Sequence, residues 1–241
     1  MISLGGNKLK KIKFVSKDII LHSKYFNYKI LFLKKNIIKK INNCSGLIIL
    51  PNKYNNIKIN NIQISSYENF FFQNQSLSII SDKDDYILFA FDKKERKGKK
   101  FYKKKIAHYK KVIKPWGYEI WFKNNLNYIL KKISIKKGYK TSLQYHRFKK
   151  EVNLLYSGKI KLHYLQNTKI KKTKITKNEI LSKTIKSPCS IMVVPPVVHR
   201  IEALTNIVLY EASTLQVNDV IRISDDTKRA NGLIKSEHKE N

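Results

Sequence analysis

The segment between Gly138 and Gly158 constrains this chain more than any other part of it. It holds Gln144, His146 and Glu151, and it is answered far downstream by Pro195-Pro196-Val197-Val198-His199. Side chains two apart on a strand point to the same face, so Gln144 and His146 project together. A short turn over 147–150 returns Glu151 beside them, and His199 completes a set of four nitrogen and oxygen donors. Such donors suit a first-row divalent ion, Zn, Mn, Fe, Co or Ni, with geometry selecting among them. One histidine on a strand is ordinarily structural; four donors at this spacing point to a metal centre. At bond lengths near 2.1 Å the imidazoles of His146 and His199 must then lie within about 6 Å of each other.

The flanking sequence is patterned for strands. Tyr128–Ile135 alternates apolar and polar positions, Lys159–Leu165 follows the turn at Gly158, and Ser190–Val194 reads as a buried strand ended by the two prolines. Ile207–Thr214 and Asp219–Ile223 supply further strands, and 166–187 reads as a polar hairpin and loop. In the N-terminal half, β-like runs at Lys11–Val15 and Tyr28–Leu33 precede Gly46–Leu50. Then come the isoleucines at 57, 59, 62 and 64, followed by Phe70–Phe72, Leu77–Ile80 and Tyr86–Phe91. Short strands separated by Asn, Ser and Asp predict a sandwich or barrel. That strand region contains no histidine and so no cage of its own. Residues 93–105 carry nine basic groups in thirteen positions, a composition expected of an exposed linker. His22, His108 and His163 read as structural.

With 241 residues and 42% apolar content, the chain has enough for two domains. The boundaries read as a β-rich domain over 1–92, a basic linker over 93–111, a metal-binding domain over 112–230 and a polar tail over 231–241 that includes His238. The formal charge of +33 raises the question of nucleic acid. Yet Lys outnumbers Arg by 45 to 5 and no RNA-binding or helix-turn-helix signature is present, so the charge reads as a solvated surface that attracts small anions. Four of the five arginines, Arg147, Arg200, Arg222 and Arg229, lie in the C-terminal half, where a planar fork binds phosphate or carboxylate in a way Lys cannot imitate. Cys44 and Cys189 form no paired motif, which fits a reducing cytoplasm. No apolar run has the length of a membrane span, and the N-terminus lacks the core of a signal peptide.

The spacing of Gly138, Gln144, His146, Glu151 and Gly158, followed by Pro195-Pro196 and His199, resembles that of the cupin family. Gln144 stands where most cupins have a first histidine, and Pro196 where the second motif has glycine. The glutamine is similar to that of the phosphomannose isomerases, above all the isomerase domain of the bifunctional type II enzymes. Lys114-Pro-Trp-Gly-Tyr-Glu119, Ser142-Leu-Gln-Tyr-His146, His199–Thr214 and Asp219-Val-Ile-Arg222-Ile-Ser-Asp225 agree with that subfamily. The resemblance spans about 112–230. It implies an all-β fold, with a cupin jelly-roll barrel in the C-terminal half. Before it would lie a smaller, degenerate cupin-like β domain, making a bicupin; the alternative for that half is a few strands extending the neighbouring sheet.

The resemblance further implies one divalent metal, Zn foremost, on Gln144, His146, Glu151 and His199. The activity implied is aldose–ketose isomerisation between mannose 6-phosphate and fructose 6-phosphate. Lys131, Glu202 and a metal-bound water are candidates for the general base, and Arg222 for the phosphate or developing oxyanion, the alternative being a salt bridge to Asp219 or Asp225. Arg229 is a candidate phosphate ligand, although the family's closing Tyr and Gly are missing around it, and Trp116 either lies across the barrel mouth or packs in the core. Trp121 and Phe122 read as core. No Gly-rich nucleotidyltransferase loop precedes the cupin, so no guanylyltransferase activity is implied. Another class of function is a non-catalytic cupin binding a sugar or nucleotide sugar in surface-polysaccharide synthesis. A homodimer joined through strand edges is the expected assembly.

Overall fold

A computed structural model describes residues 2–4, 19–22, 26–49, 57–65, 68–92, 98–124, 128–165 and 179–238. It divides into two compact units, Val15–Tyr109 and Met1–Phe14 with Lys110–Asn241. The expected strand at Lys11–Val15 and the basic run 93–97 lie outside the described residues.

The unit Val15–Tyr109 is one sheet. Its strands are β2 (Ile19–His22), β3 (Phe26–Leu33), β4 (Lys39–Ile49), β5 (Ile57–Ile59), β6 (Ile62–Ile64), β7 (Glu68–Ser81), β8 (Asp85–Asp92) and β9 (Lys100–Lys105). They pair in the order β2-β3-β8-β4-β7-β5-β6, with β9 also on β7. Phe70–Phe72 and Leu77–Ile80, separate strands by pattern, belong to the single strand β7. The polar interruption between them is a bulge rather than a turn. Asn74 takes a positive φ of 47°, its N–H donates to Ser45 Oγ at 3.0 Å, and its Nδ2 donates to the Gly98 carbonyl at 3.1 Å. The facing strand β4 shifts register on both sides of Cys44. Side-chain amide bonds thus satisfy the backbone where the ladder breaks. Leu31, Ile48, Ile57, Phe70, Phe72, Leu77, Ile79 and Phe89 form the core.

Half of the expected linker is instead strand. β9 pairs with β7 from Glu68↔Lys105 to Gln73↔Lys100. Phe101 stacks on Phe70, Tyr102 stacks on Phe71, and Lys103 pairs with Glu68 at 3.3 Å. Two aromatic anchors and one ion pair outweigh the mutual repulsion of the lysines, which remain exposed.

The second unit contains two sheets. The seven-stranded sheet runs β1-β17-β14-β19-β12-β11-β10 and the five-stranded sheet β16-β15-β18-β13-β20. Their ranges are β1 (Ile2–Leu4), β10 (Lys110–Lys114), β11 (Gly117–Asn124), β12 (Ile129–Ile135), β13 (Leu143–Tyr145), β14 (Glu151–Ser157) and β15 (Lys159–Leu165). The rest are β16 (Ile180–Lys186), β17 (Cys189–Val193), β18 (His199–Ala203), β19 (Ile207–Ser213) and β20 (Ile221–Ser224). β1 joins this unit, in parallel with β17, rather than the unit that follows it in sequence. Inward residues of both sheets share one core: Ile133, Leu155, Ile191, Val193 and Leu209 from the larger sheet, Ile160, Leu162, Ile201 and Ala203 from the smaller. Burial alternates along β15 and β18, as expected for strands with one face on a core. Past β20 the expected polar tail is ordered as far as a 3-10 helix at Lys235–His238.

Candidate metal centre

The inner face of the larger sheet carries an apolar row and, beside it, a polar one. Ile133, Leu209 and Leu155 lie in adjacent register, and two residues along each strand Lys131 faces Glu211, which faces Asn153. Trp121 extends this polar row on β11. Period-two geometry puts these side chains on the core side, so the sheet must find partners for several polar groups in its interior. It finds them around one cavity of about 110 Å³, lined also by Ser142, Gln144, Lys149, Glu151, His199 and Arg222.

Three of the four expected metal ligands converge. His146, Glu151 and His199 each bring a ligand atom within 4.8 Å of the others, and all three are buried. Among the described residues this is the only such group of His, Cys, Asp and Glu. Glu151 Oε1 lies 3.1 Å from His146 Nε2, Glu151 Oε2 lies 3.7 Å from His199 Nε2, and the imidazole centroids are 5.5 Å apart, inside the expected limit. Gln144 is directly opposite His199 across the β13–β18 pair, a register that puts both side chains on one face. Its Oε1 accepts a hydrogen bond from Ser142 Oγ at 2.5 Å. The turn after the two prolines, closed by Val197 N–H to the Val194 carbonyl at 3.1 Å, delivers His199 despite proline at 196.

Asp219 organises the cage from outside, a role the sequence did not signal. Its carboxylate accepts the backbone N–H groups of Arg147, Phe148 and Lys149 at 3.0, 2.5 and 2.9 Å, fixing the turn between His146 and Glu151. Burial pushes its carboxyl up, but the three N–H donors prevail and hold it below the usual range. Its carbonyl accepts from His146 Nδ1, and the Val197 carbonyl accepts from His199 Nδ1 at 3.1 Å. A carbonyl can only accept, so each ring carries a proton on Nδ1 and turns its Nε2 toward Glu151. His146 Nε2 is buried with no hydrogen-bond partner. Burial keeps His199 neutral by pushing its pKa down. Burial alone would raise the Glu151 carboxyl, but the Lys149 ammonium, then His146, outweigh it and keep Glu151 ionised. Two imidazoles turned by their Nδ1 bonds toward one buried carboxylate are a donor set for a divalent cation.

Lys149 was likewise missed. Its buried ammonium bonds Glu151 Oε1 at 2.5 Å and Glu211 Oε1 at 2.9 Å, and these carboxylates overcome the downward pull of burial to push its pKa up. Nothing marks it among 45 lysines. Glu211 had a legible signal, an acidic residue at an inward position of an otherwise apolar strand.

Lys131 stands on the cavity wall, 3.3 Å from Glu119, with its ammonium 4.1 Å from the Trp121 ring centroid. Trp121, expected in the core, lines the cavity and donates from Nε1 to Glu119 at 2.8 Å. Burial would raise the Glu119 carboxyl, but Lys131 and Lys114 lower it to about 2. A depressed carboxylate stabilises the fold above its unfolded pKa near 4.3, and that contribution is lost as pH falls toward 2. The shift corresponds to about 3 kcal/mol. The stability gap between the protein and Glu119→Gln in urea titrations should therefore be largest above pH 5 and shrink steadily below pH 4.

Trp116 serves both of its expected roles, as a member of the core and part of the lining. Arg222 and Arg229 also line the cavity. Arg222 pairs with neither Asp219 nor Asp225; it donates from Nη1 to the carbonyls of Ala230 and, at 2.9 Å, Gly232. Arg229 takes the Asp225 carboxylate, at 2.7 Å. Glu202 departs from expectation. It alternates with His199 and Ile201 along β18 and so lies on the other face, where it binds His163 Nε2 at 2.7 Å, away from the cavity lining. It is removed as a candidate base.

No family model matches the sequence, and no curated protein matches it. Solved structures do match. Bacillus subtilis oxalate decarboxylase aligns over 83% of this chain and 72% of its own, with a TM-score of 0.57 at 9% identity. Lactobacillus farciminis oxalate decarboxylase, solved as a formate complex, aligns over 83% and 80% with the same score and identity. The Bacillus enzyme has also been studied for its Mn(II) centers. At such identity the likeness is one of fold. No helix among the described residues is long and apolar enough to cross a membrane. With two β units, a buried His-Glu-His group in the second, and a structural alignment to oxalate decarboxylases over 83% of its length, the chain has an all-β fold of the cupin kind in its bicupin form.

Proposed function

We propose that this protein is a metal-dependent aldose–ketose isomerase acting on a sugar phosphate, with mannose 6-phosphate and fructose 6-phosphate as the pair implied by the motif resemblance. The observation that carries this reading is the convergence of His146, Glu151 and His199, the last two of which line a cavity that also holds Lys114, Lys131, Arg222 and Arg229. A cation site next to a cluster of fixed positive charges suits a neutral sugar carrying an anionic group. Moving a carbonyl between C1 and C2 requires removal of a proton from carbon and creates an enediolate. A divalent ion held by the cage, Zn foremost and Mn, Fe, Co or Ni otherwise, supplies Lewis-acid stabilisation of that charge when bound. Lys131, fixed by Glu119 on the same wall, is the remaining side-chain candidate to take that proton from C2 and return it at C1. Arg222 and Arg229 offer forks to the phosphate, and Trp116 an apolar surface to the sugar ring. Conversion of mannose 6-phosphate by metal-loaded protein, followed by a coupled assay for fructose 6-phosphate, supports the reading. Metal-loaded protein that leaves sugar phosphates unchanged overturns it.

A second reading, a cupin that binds a sugar or nucleotide sugar without catalysis, is favoured by one contact. Lys149 already neutralises the Glu151 oxygen that a metal would use. Metal analysis of the purified protein separates the two, because this reading expects no bound ion.

A further inference from the structure

One wall of the cavity is the chain's own last described turn. Gly232, Leu233, Ile234 and His238 contribute to the lining, and the segment is fastened at both ends. Arg222 grips it through the carbonyls of Ala230 and Gly232. At the other end the His238 carbonyl accepts from Lys110 Nζ at 2.8 Å, and the His238 ring meets Trp121 edge-on at 5.2 Å. Between them Glu237 reaches into a cationic seat. One carboxylate oxygen lies 2.7 Å from Lys114 Nζ and the other 3.4 Å from Arg229 Nη1, and the three side chains are only 9–13% exposed. The Arg222 Nε is buried beside them without an acceptor. With this segment in place the cavity measures about 110 Å³, short of the roughly 300 Å³ at which small-ligand sites begin.

We propose that Gly232–His238 is an internal strap, in which Glu237 occupies the seat of a ligand's anionic group and must leave before a phosphate-bearing ligand can enter. The inference rests on the reading of this cavity as a sugar-phosphate site and adds that the site is held shut by a mimic of its own ligand. A single carboxylate shared by Lys114 and Arg229, the latter also engaged by Asp225, leaves cationic hydrogen-bond capacity that a phosphate, with more charge and more acceptor oxygens, fills better. Partly desolvated ion pairs of this kind come close to breaking even against their desolvation, so a competing anion can replace one at little cost.

Inorganic phosphate added to the full-length protein is the probe. Amide hydrogen exchange across 232–238 should quicken at least threefold as phosphate displaces Glu237; unchanged or slower exchange there overturns the proposal. Glu237→Gln, which keeps the shape and removes the charge, should bind phosphate about tenfold more tightly by calorimetry. Lys114→Gln in that background should cancel the gain. Equal affinity in Glu237→Gln and the unsubstituted protein overturns the strap, and should that variant fail to fold, the exchange experiment decides alone. Neither measurement reads turnover. An absence of isomerase activity therefore leaves the strap testable, and an active isomerase with no phosphate effect on the segment defeats the strap alone.

Discussion

Replacing His146 by alanine is expected to abolish stoichiometric binding of a divalent ion and, with it, activity, while the protein keeps its far-UV circular dichroism. The argument is one of supply. The ring aims a buried Nε2 at the Glu151 carboxylate, and its orientation is set by the Asp219 carbonyl. No neighbouring donor can take its place, because Gln144 already belongs to the donor set and Lys149 is cationic. Gln144→Ala is expected to abolish activity in the same way. Asp219→Ala should do less. It frees the three N–H groups that fix the turn at 147–149 but leaves the carbonyl on Nδ1, and loss of such an outer support costs about 10- to 100-fold in metal affinity. Metal content by mass spectrometry and affinity by competition with a chelator give both numbers. A His146→Ala protein that still holds one ion per chain, or turns over substrate, removes the cage from the mechanism.

Gly158→Ala is expected to destabilise the metal-binding unit by about 2–5 kcal/mol, the sum of roughly 1–2 for a left-handed residue other than glycine and roughly 1–3 for forced overpacking. Gly158 sits at φ 92°, and a methyl group there would stand 2.6 Å from the Asn206 carbonyl and 2.8 Å from Ile207 Cγ2. Backbone on one side and a core isoleucine on the other leave little room to yield. Gly138, the other glycine bracketing the motif, also has a positive φ, 83°, but nothing lies within 4 Å of the added carbon. Gly138→Ala should therefore cost only the backbone share. By calorimetry the melting point should fall on the order of 10 °C for Gly158→Ala and by only a few degrees for Gly138→Ala. Equal shifts would mean that the close approach at Gly158 is relieved without cost.

The cage was legible because its chemistry is local to two short motifs whose residue types and spacing carry a geometric meaning. Gln144 and His146 are two apart, a turn follows, and His199 stands after a strand that ends in proline. What surrounds the cage was not legible, for a compositional reason. In a chain where every fifth residue or so is lysine, Lys149 and Lys114 look like surface, and only the register of β11, β12, β19 and β14 reveals that Lys131, Glu211 and Asn153 share one inner row. Glu202 was misplaced by ignoring its own alternation with His199. The basic run was mistaken for linker from residue 100 onward because charge repulsion was weighed without the stacking of Phe101 and Tyr102. The tail looked inert because its one informative residue, Glu237, means something only beside Lys114 and Arg229.

The pairing of β1 with β17 ties Ile2–Leu4 to Ile191–Val193. During synthesis on the ribosome, β1 emerges well before β17, so the intervening unit 15–109 can form while β1 waits. Until then β1 has no partner from the larger sheet, and an open strand edge is where nascent chains stick to one another. An affinity tag fused ahead of Ile2 would therefore be felt not in the neighbouring unit but in the distant sheet that carries Glu151.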